Sequence, residues 1–294
     1  MNTVAGGKRP HSGLAQLPNL SSLQIFYVDD NDQRIYTVDY WNHRIVEWKC
    51  GVKNGQVVAG GNGSGDGMNQ LRYPTDVIVD HKTDSLIICD SRNRRLVRWP
   101  RQKGINGQTI ISNIHCKCLA MDDNGDLYVS EPAKNEVRRW KIGDSQGTIV
   151  AGGNGDGNQL NQLDCPSHFF VDKDQSVYVS DWGNHRVMKW VKGAKEGIVV
   201  AGGQGQGDRL AQLSHPEGVM VDQLGDLYVA DGGNVRIMRW PKGSQEGSIV
   251  FGGNGEGNQA DQSCHLTELF FDRQGSFYVV DWENHRVQKF NVVK

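Results

Sequence analysis

One eleven-residue string returns six times along this chain. It reads "VDYWNHRIVEW" at Val38–Trp48, "CDSRNRRLVRW" at Cys89–Trp99 and "SEPAKNEVRRW" at Ser130–Trp140. It returns as "SDWGNHRVMKW" at Ser180–Trp190, "ADGGNVRIMRW" at Ala230–Trp240 and "VDWENHRVQKF" at Val280–Phe290. The Asp or Glu opening each copy stands at 39, 90, 131, 181, 231 and 281, so the steps are 51, 41, 50, 50 and 50 residues. A sustained period in this range points to a solenoid, a propeller or an array. It also changes the reading of the Asp, Asn, His and Arg packed into Ser180–Trp190. Six catalytic sites in one chain is an improbable design, whereas six copies of a structural unit is an ordinary one.

Within one unit, "GVMVDQLGDLYVADGGNVRIMRWPKGSQEGSIVFGG" alternates short β-rich runs with turn residues. Four strands are predicted from period-2 apolar spacing: "GVMVD", "DLYVA", "RIMRW" and "SIVFG". No window carries a sustained helical period. Four antiparallel strands per unit, repeated radially, describe the blades of a propeller. The last copy stops after its third strand, while "NTVAGG" near the start matches the outer-strand ending "IVAGG" at 149–153. The expectation is an all-β, six-bladed β-propeller over residues 1–294 as a single domain. Its N-terminal strand, around Thr3 to Ala5, completes the last blade and removes a free edge.

These units resemble the NHL repeat family, whose repeats carry Asn-His-Arg or close variants before the third strand. The match is clean at 42–44, 184–186 and 284–286, and partial at 93–95 and 234–236. It is lost at Lys134, Asn135 and Glu136. Blade three also lacks the long Gly-rich connection, which accounts for the 41-residue step. The resemblance implies the fold and leaves the function open, because function resides in sites grafted on folds.

The repeated motif is read as structural. Asp closes the second strand, Asn suits the turn, and Arg opens the third strand within reach of the Asp carboxylate. Arg94 and Val235 in place of His show that no imidazole is needed. The aromatic residues ending the third strands, Trp48, Trp99, Trp140, Trp190, Trp240 and Phe290, are expected to fill the spaces between blades. The Gly-rich connections such as "GGNGDG" follow a strand but open no helix, so they are turns and not phosphate cradles.

Function is sought where the blades differ. Four residues before the Asp that ends each first strand, blade five has Gly218. The same slot holds Asp76, Cys118, His168 and Glu268, with Ile25 in blade one. These polar side chains are expected at the channel mouth, where convergent polar groups mark a default ligand site. Asp76, His168 and Glu268 are the metal-ligating candidates for Ca or Zn, although no cofactor is required. After the turn Asp, Tyr40, Trp182 and Trp282 offer aromatic platforms on the same face, against Ser91, Pro132 and Gly232.

The reading is a non-catalytic module binding a protein, peptide, glycan or small molecule on that face. The alternative is a channel-centred, metal-dependent lyase or hydrolase, as the resemblance to other six-bladed propeller enzymes implies. An RNA-binding role comes third. Lys8, Arg9, Arg72 and Arg209 in the connections are outnumbered by Asp66, Asp156, Asp164, Asp208, Glu256 and Asp261, and the chain carries a net charge of −2. RNA binding therefore lacks its electrostatic footprint.

No apolar run reaches membrane-span length, so a soluble monomer without membrane insertion is expected, extracellular or cytoplasmic. Residues 1–20 lack the apolar core of a signal peptide. The six cysteines, Cys50, Cys89, Cys116, Cys118, Cys165 and Cys264, follow no regular spacing. They are read mostly as small buried apolar residues, with disulfides allowed and their connectivity undetermined.

Overall fold

Alternating apolar runs punctuated by Gly, Asn and Asp turns fold as six four-stranded antiparallel sheets, the blades of a β-propeller. The computed structural model describes residues 2–6, 23–29, 34–49, 55–102, 106–141, 143–144, 146–253, 266–272, 276–281 and 286–291. The N-terminal strand is β1 (Asn2–Gly6). Blade one is β2 (Leu23–Asp29), β3 (Arg34–Asp39), β4 (Arg44–Lys49) and β5 (Gln56–Gly60). Blade two is β6 (Pro74–Asp80), β7 (Ser85–Asp90), β8 (Arg95–Pro100) and β9 (Gln108–Ser112). Blade three is β10 (Leu119–Met121), β11 (Leu127–Glu131), β12 (Glu136–Trp140) and β13 (Thr148–Gly152).

Blade four is β14 (Pro166–Val171), β15 (Val177–Asp181), β16 (Arg186–Trp190) and β17 (Ile198–Gly202). Blade five is β18 (Pro216–Val221), β19 (Leu227–Asp231), β20 (Arg236–Trp240) and β21 (Ser248–Gly252). Blade six is β22 (Leu266–Phe271), β23 (Ser276–Asp281), β24 (Arg286–Asn291) and, from the other end of the chain, β1. The expected completion of the last blade is thus observed, with Thr3 opposite Gln288 and Gly6 opposite Arg286.

Two compact units carry these blades. Met1–Cys116 with Thr267–Lys294 holds blades one, two and six, and Lys117–Leu266 holds blades three, four and five. In each unit the apolar core lies between adjacent blades. In the first unit Val28, Val46 and Trp48 pack with Tyr278, Val280 and Val287. In the second, Tyr178, Val187 and Ala201 meet Val219, Val229, Met238 and Trp240, with Leu213 of the intervening loop. Trp48, Trp99, Trp140, Trp190 and Trp240 are buried, as the period-50 aromatic position requires. Each buries a large apolar area, so the repeat of this one residue fixes the spacing between adjacent sheets.

The cysteines differ from the sequence expectation in one respect. Cys89 of β7 and Cys116 form a disulfide, and Cys118 is buried as a thiol. Cys165 is exposed, because it occupies the turn before Pro166 at a φ of +50°. Cys50 and Cys264 lie outside the described residues. Among the described residues no helix is long and apolar enough to cross a membrane.

Candidate functional site

The repeated Asp-Asn-His-Arg string builds a lock for the blade connections. In blade four, Asp181 accepts hydrogen bonds from Arg186 Nε at 2.7 Å, Asn184 Nδ2 at 2.9 Å and the Asp164 backbone N–H at 2.6 Å. The rest of the Arg186 guanidinium donates to the carbonyls of Asn158 and Gln159 at 2.8 and 3.0 Å, in the Gly-rich loop entering its own blade. Asn184 donates to the Gly157 carbonyl in the same loop. Blade five repeats the set with Asp231, Asn234, Arg236 and the Ser214 N–H, and blade two with Asp90, Asn93, Arg95 and the Arg72 N–H. A guanidinium fork suits this task because its donors are fixed in one plane. Burial pushes the Asp181 carboxyl above its ordinary range, and the Asp164 N–H and Arg186 pull it back.

The histidine of the motif serves the loop that leaves the blade. It follows a single 3-10 turn and sits in the left-handed region, with φ of +54° at His43 and +53° at His185. Its ring is thereby aimed at the next connection. His43 Nδ1 accepts the Tyr73 backbone N–H at 3.1 Å, and His185 Nδ1 accepts that of His215 at 3.2 Å. In blade three Asn135 does the same work, its Oδ1 accepting the Cys165 N–H at 2.9 Å. Arg holds the entering loop and His holds the leaving one, which is why the motif recurs without being a catalytic site.

The side chains that vary between blades are placed as follows. In the first unit, Asp76 lies in β6 opposite Cys89, 5% exposed, and its Oδ1 accepts the Val77 N–H at 2.6 Å. Glu268 lies half-buried in β22, and Ile25 lies in β2. In the second unit, Cys118 and His168 stand at the starts of the first strands of blades three and four. Cys118 Sγ lies 3.3 Å from the Ser167 carbonyl, and His168 is buried.

His168 meets a residue that sequence reading passed over. Its Nδ1 lies 3.1 Å from Glu217 Oε2, and Lys117 Nζ is 3.9 Å from the same oxygen. Glu217 precedes the slot glycine of blade five, where the other blades have Thr75, Lys117, Ser167 and Thr267. The one carboxylate in that series was the available signal. The cluster is charge-balanced: a carboxylate between an ammonium and an imidazole. The carboxylate thus lies within ion-pair distance of both the imidazole and the ammonium. Among the described residues, no three His, Cys, Asp or Glu side chains are grouped as ligands of one metal ion.

Aromatic rings cap the same end of the sheets. Pro166 of β14 is opposite Asp181 of β15, so Trp182 emerges at the end where His168 begins its strand. Trp182 is 36% exposed, and its ring centroid is 4.3 Å from that of His215, which also meets His185 edge-on. Burial, then the neighbouring His215, pulls the His185 pKa below its ordinary value. In the first unit Tyr40, Trp41 and His43 surround Tyr73, and Trp41 is 54% exposed. Tyr40 is thus a support and Trp41 the open ring. Trp282 lies outside the described residues.

Comparison with known proteins fits this architecture. The NHL repeat model matches residues 270–290, which span the end of β22 through β24. The chain thus carries an NHL repeat within a fold of six propeller blades. No curated protein sequence matches the chain. Among solved structures, an auxiliary nutrient binding protein from Bacteroides thetaiotaomicron aligns with a TM-score of 0.69 at 17% identity, over 91% of this chain and 68% of that one. A catalytically inactive virginiamycin B lyase variant from Staphylococcus aureus, with quinupristin, aligns with a TM-score of 0.63 at 9% identity, over 95% and 83%. A chain of the nidogen/laminin complex gives 0.63 at 14%, over 85% and 87%. At these identities the likeness is one of fold.

Proposed function

We propose that this NHL propeller is a non-catalytic binding module. Its ligand, a glycan, peptide or small molecule, sits at the end of the blades where the first strands begin. One observation carries the reading: a partly exposed indole, Trp182, packs at a tilt on His215 at the end of blade four where His168 meets Glu217 of blade five. A rigid aromatic face beside a few fixed polar groups is the usual make-up of a small-ligand site. Lys117 compensates Glu217, so the site needs no metal to relieve its charge. Cys118, buried just before β10 in the same unit with its Sγ 3.3 Å from the Ser167 carbonyl, is the position proposed to extend recognition toward blade three. RNA is not expected, given the acidic balance of the connections. The solved structures of similar fold include proteins named for binding a nutrient or assembled with laminin, which supports a binding role.

A lyase or hydrolase is the second reading, favoured by a buried imidazole, His168, with the Glu217 carboxylate 3.1 Å from its Nδ1. One experiment separates the two. Glycan fragments, short peptides and small organic acids are screened by thermal shift, and hits are titrated calorimetrically against the parent, Trp182→Ala and Glu217→Gln. Loss of a stacking and a hydrogen-bonding partner should weaken Kd by roughly tenfold or more, a difference of about 1.4 kcal/mol. Hits that bind both variants as well as the parent place the ligand elsewhere. A hit that the parent converts to product, and His168→Ala does not, replaces the first reading by the second.

A further inference from the structure

The end of blade two where β7 turns into β8 gathers three arginines without a counter-charge. Arg72 lies in the connection entering the blade, and Arg92 stands in the 3-10 turn after β7. Arg94 follows that turn in the left-handed region, at a φ of +53°. All three are exposed, and none of their side chains has a hydrogen-bond or ion-pair partner among the described residues. Asp90 at the same turn is fully buried and already accepts from Arg95 Nε at 2.7 Å, from Asn93 and from the Arg72 backbone N–H. The exposed Asp66 of the entering loop is not within ion-pair distance of any of the three.

The backbone brings these positions together. The Arg92 N–H donates to the Arg72 carbonyl at 3.2 Å, as Gly183 donates to Asp164 at 3.0 Å and Gly233 to Ser214 at 2.8 Å. In blades four and five the side chain of the entering residue lies over the turn glycine, Asp164 over Gly183 and Ser214 over Gly233. Blade two alone has arginine at both places, and a third at the position where His43 and His185 hold the leaving loop. Arg94 has no such loop to hold, because the Gly-rich connection is missing after blade two. An open indole stands beside this cluster. Tyr73, the residue after Arg72, meets the Trp41 ring edge-on at 5.5 Å, and Trp41 is 54% exposed.

We infer that this end of blades one and two binds a sugar carrying a tetrahedral oxyanion ester, a sulfate or a phosphate. Guanidinium forks bind such oxyanions through paired N–H···O bonds, and three of them surround one ester group without needing a protein carboxylate. The sugar ring offers a face of C–H groups, which the negative face of an indole attracts. A nucleic acid strand is the poorer occupant. It lays successive phosphates along an extended basic track, whereas the cations here are confined to one blade beside Asp66. The site lies wholly within the first unit and stands independently of the one around His168.

The test titrates the whole protein with N-acetylglucosamine 6-sulfate, N-acetylglucosamine 6-phosphate and unsubstituted N-acetylglucosamine, followed by calorimetry and tryptophan fluorescence. At least one ester should bind tenfold or more tighter than the unsubstituted sugar, since a charge-assisted hydrogen bond is worth that much. Its affinity should fall as salt is raised. The ester that binds tighter tells whether the source is a sulfated or a phosphorylated glycan. Arg72→Ser/Arg92→Gly/Arg94→Asn installs residues that other blades carry at the same places, Ser214, Gly233 and Asn135, so the melting curve should change little. This variant should lose the preference for the ester, and Trp41→Ala should weaken the ester and the unsubstituted sugar alike. If neither ester binds at millimolar concentration, or the triple variant keeps the preference, the inference is wrong. If a single-stranded oligonucleotide displaces the ester at lower concentration, and binds the triple variant poorly, the arginines serve a polyanion and the inference also falls.

Discussion

Removing Arg186 should reveal what the repeated motif is for. Arg186→Ala deletes the 2.7 Å bond to Asp181 Oδ2, whose side chain is fully buried, and the bonds to the Asn158, Gln159 and Gln162 carbonyls. Breaking a buried pair by removing one partner costs about 3–5 kcal/mol, because the remaining charge stays desolvated. The loop carbonyls are recovered by water, so the orphaned Asp181 dominates the loss. For a protein of this size about 4 kcal/mol corresponds to roughly 8–16 °C in Tm. The penalty should also depend on pH. Burial already raises the Asp181 pKa, and Arg186 is one of the groups holding it down. In the variant the carboxyl takes up a proton more readily in the folded state, so the deficit shrinks as pH falls through that raised value. Urea melts between neutral and mildly acidic pH, with amide exchange over residues 153–163, measure both effects. Arg186→Lys should fall between the two, since it keeps the charge and loses the fork. A Tm within about 2 °C of the parent, with unchanged exchange in the loop, would refute the locking role, because less than about 1 kcal/mol would then rest on it.

Two further expectations concern groups inside the blades. His185→Asn should be nearly neutral at pH 8, since Asn135 holds its loop in the same way, whereas His185→Val should lose the bond to the His215 N–H. The His185 pKa is depressed on folding, so its contribution is present above the unfolded value of 6.5 and is lost as pH falls toward the folded one. A parent-minus-Asn stability difference that stays flat from pH 8 to 5 would contradict this. The second expectation is a stabilising change. Trp48 Nε1 donates to Thr37 Oγ1 at 3.0 Å, but the matching Trp240 Nε1 is buried without an acceptor among the described residues; Val229, opposite Met238 as Thr37 is opposite Val46, takes the place of that threonine. Val229→Thr supplies that acceptor at constant shape and should gain about 1 kcal/mol in urea unfolding, while Thr37→Val should cost about 1–3 kcal/mol. A destabilised Val229→Thr protein would show that the added hydroxyl is not satisfied there.

The sequence by itself determined the blades, because everything that makes a blade is local or periodic. Period-2 apolar runs place the strands, the Asp and Arg that face each other across β15 and β16 are five residues apart, and one Trp per unit sets the spacing between sheets. Even completion of the last blade was legible, since β1 repeats the outer-strand string. Tertiary structure decided the contacts between blades, whose partners are about 30 to 50 residues apart by the repeat period itself. Nothing in the chain near His185 announces that its ring accepts the His215 N–H, or near Cys89 that Cys116 is its disulfide partner. His168 was visible as an odd residue in a glycine slot, but its partner Glu217 sits one position out of that slot on the next blade. Only the offset between adjacent first strands makes the two meet. A groove lined by β13 and by the turn after β16 likewise draws on two blades, and no single repeat encodes that juxtaposition.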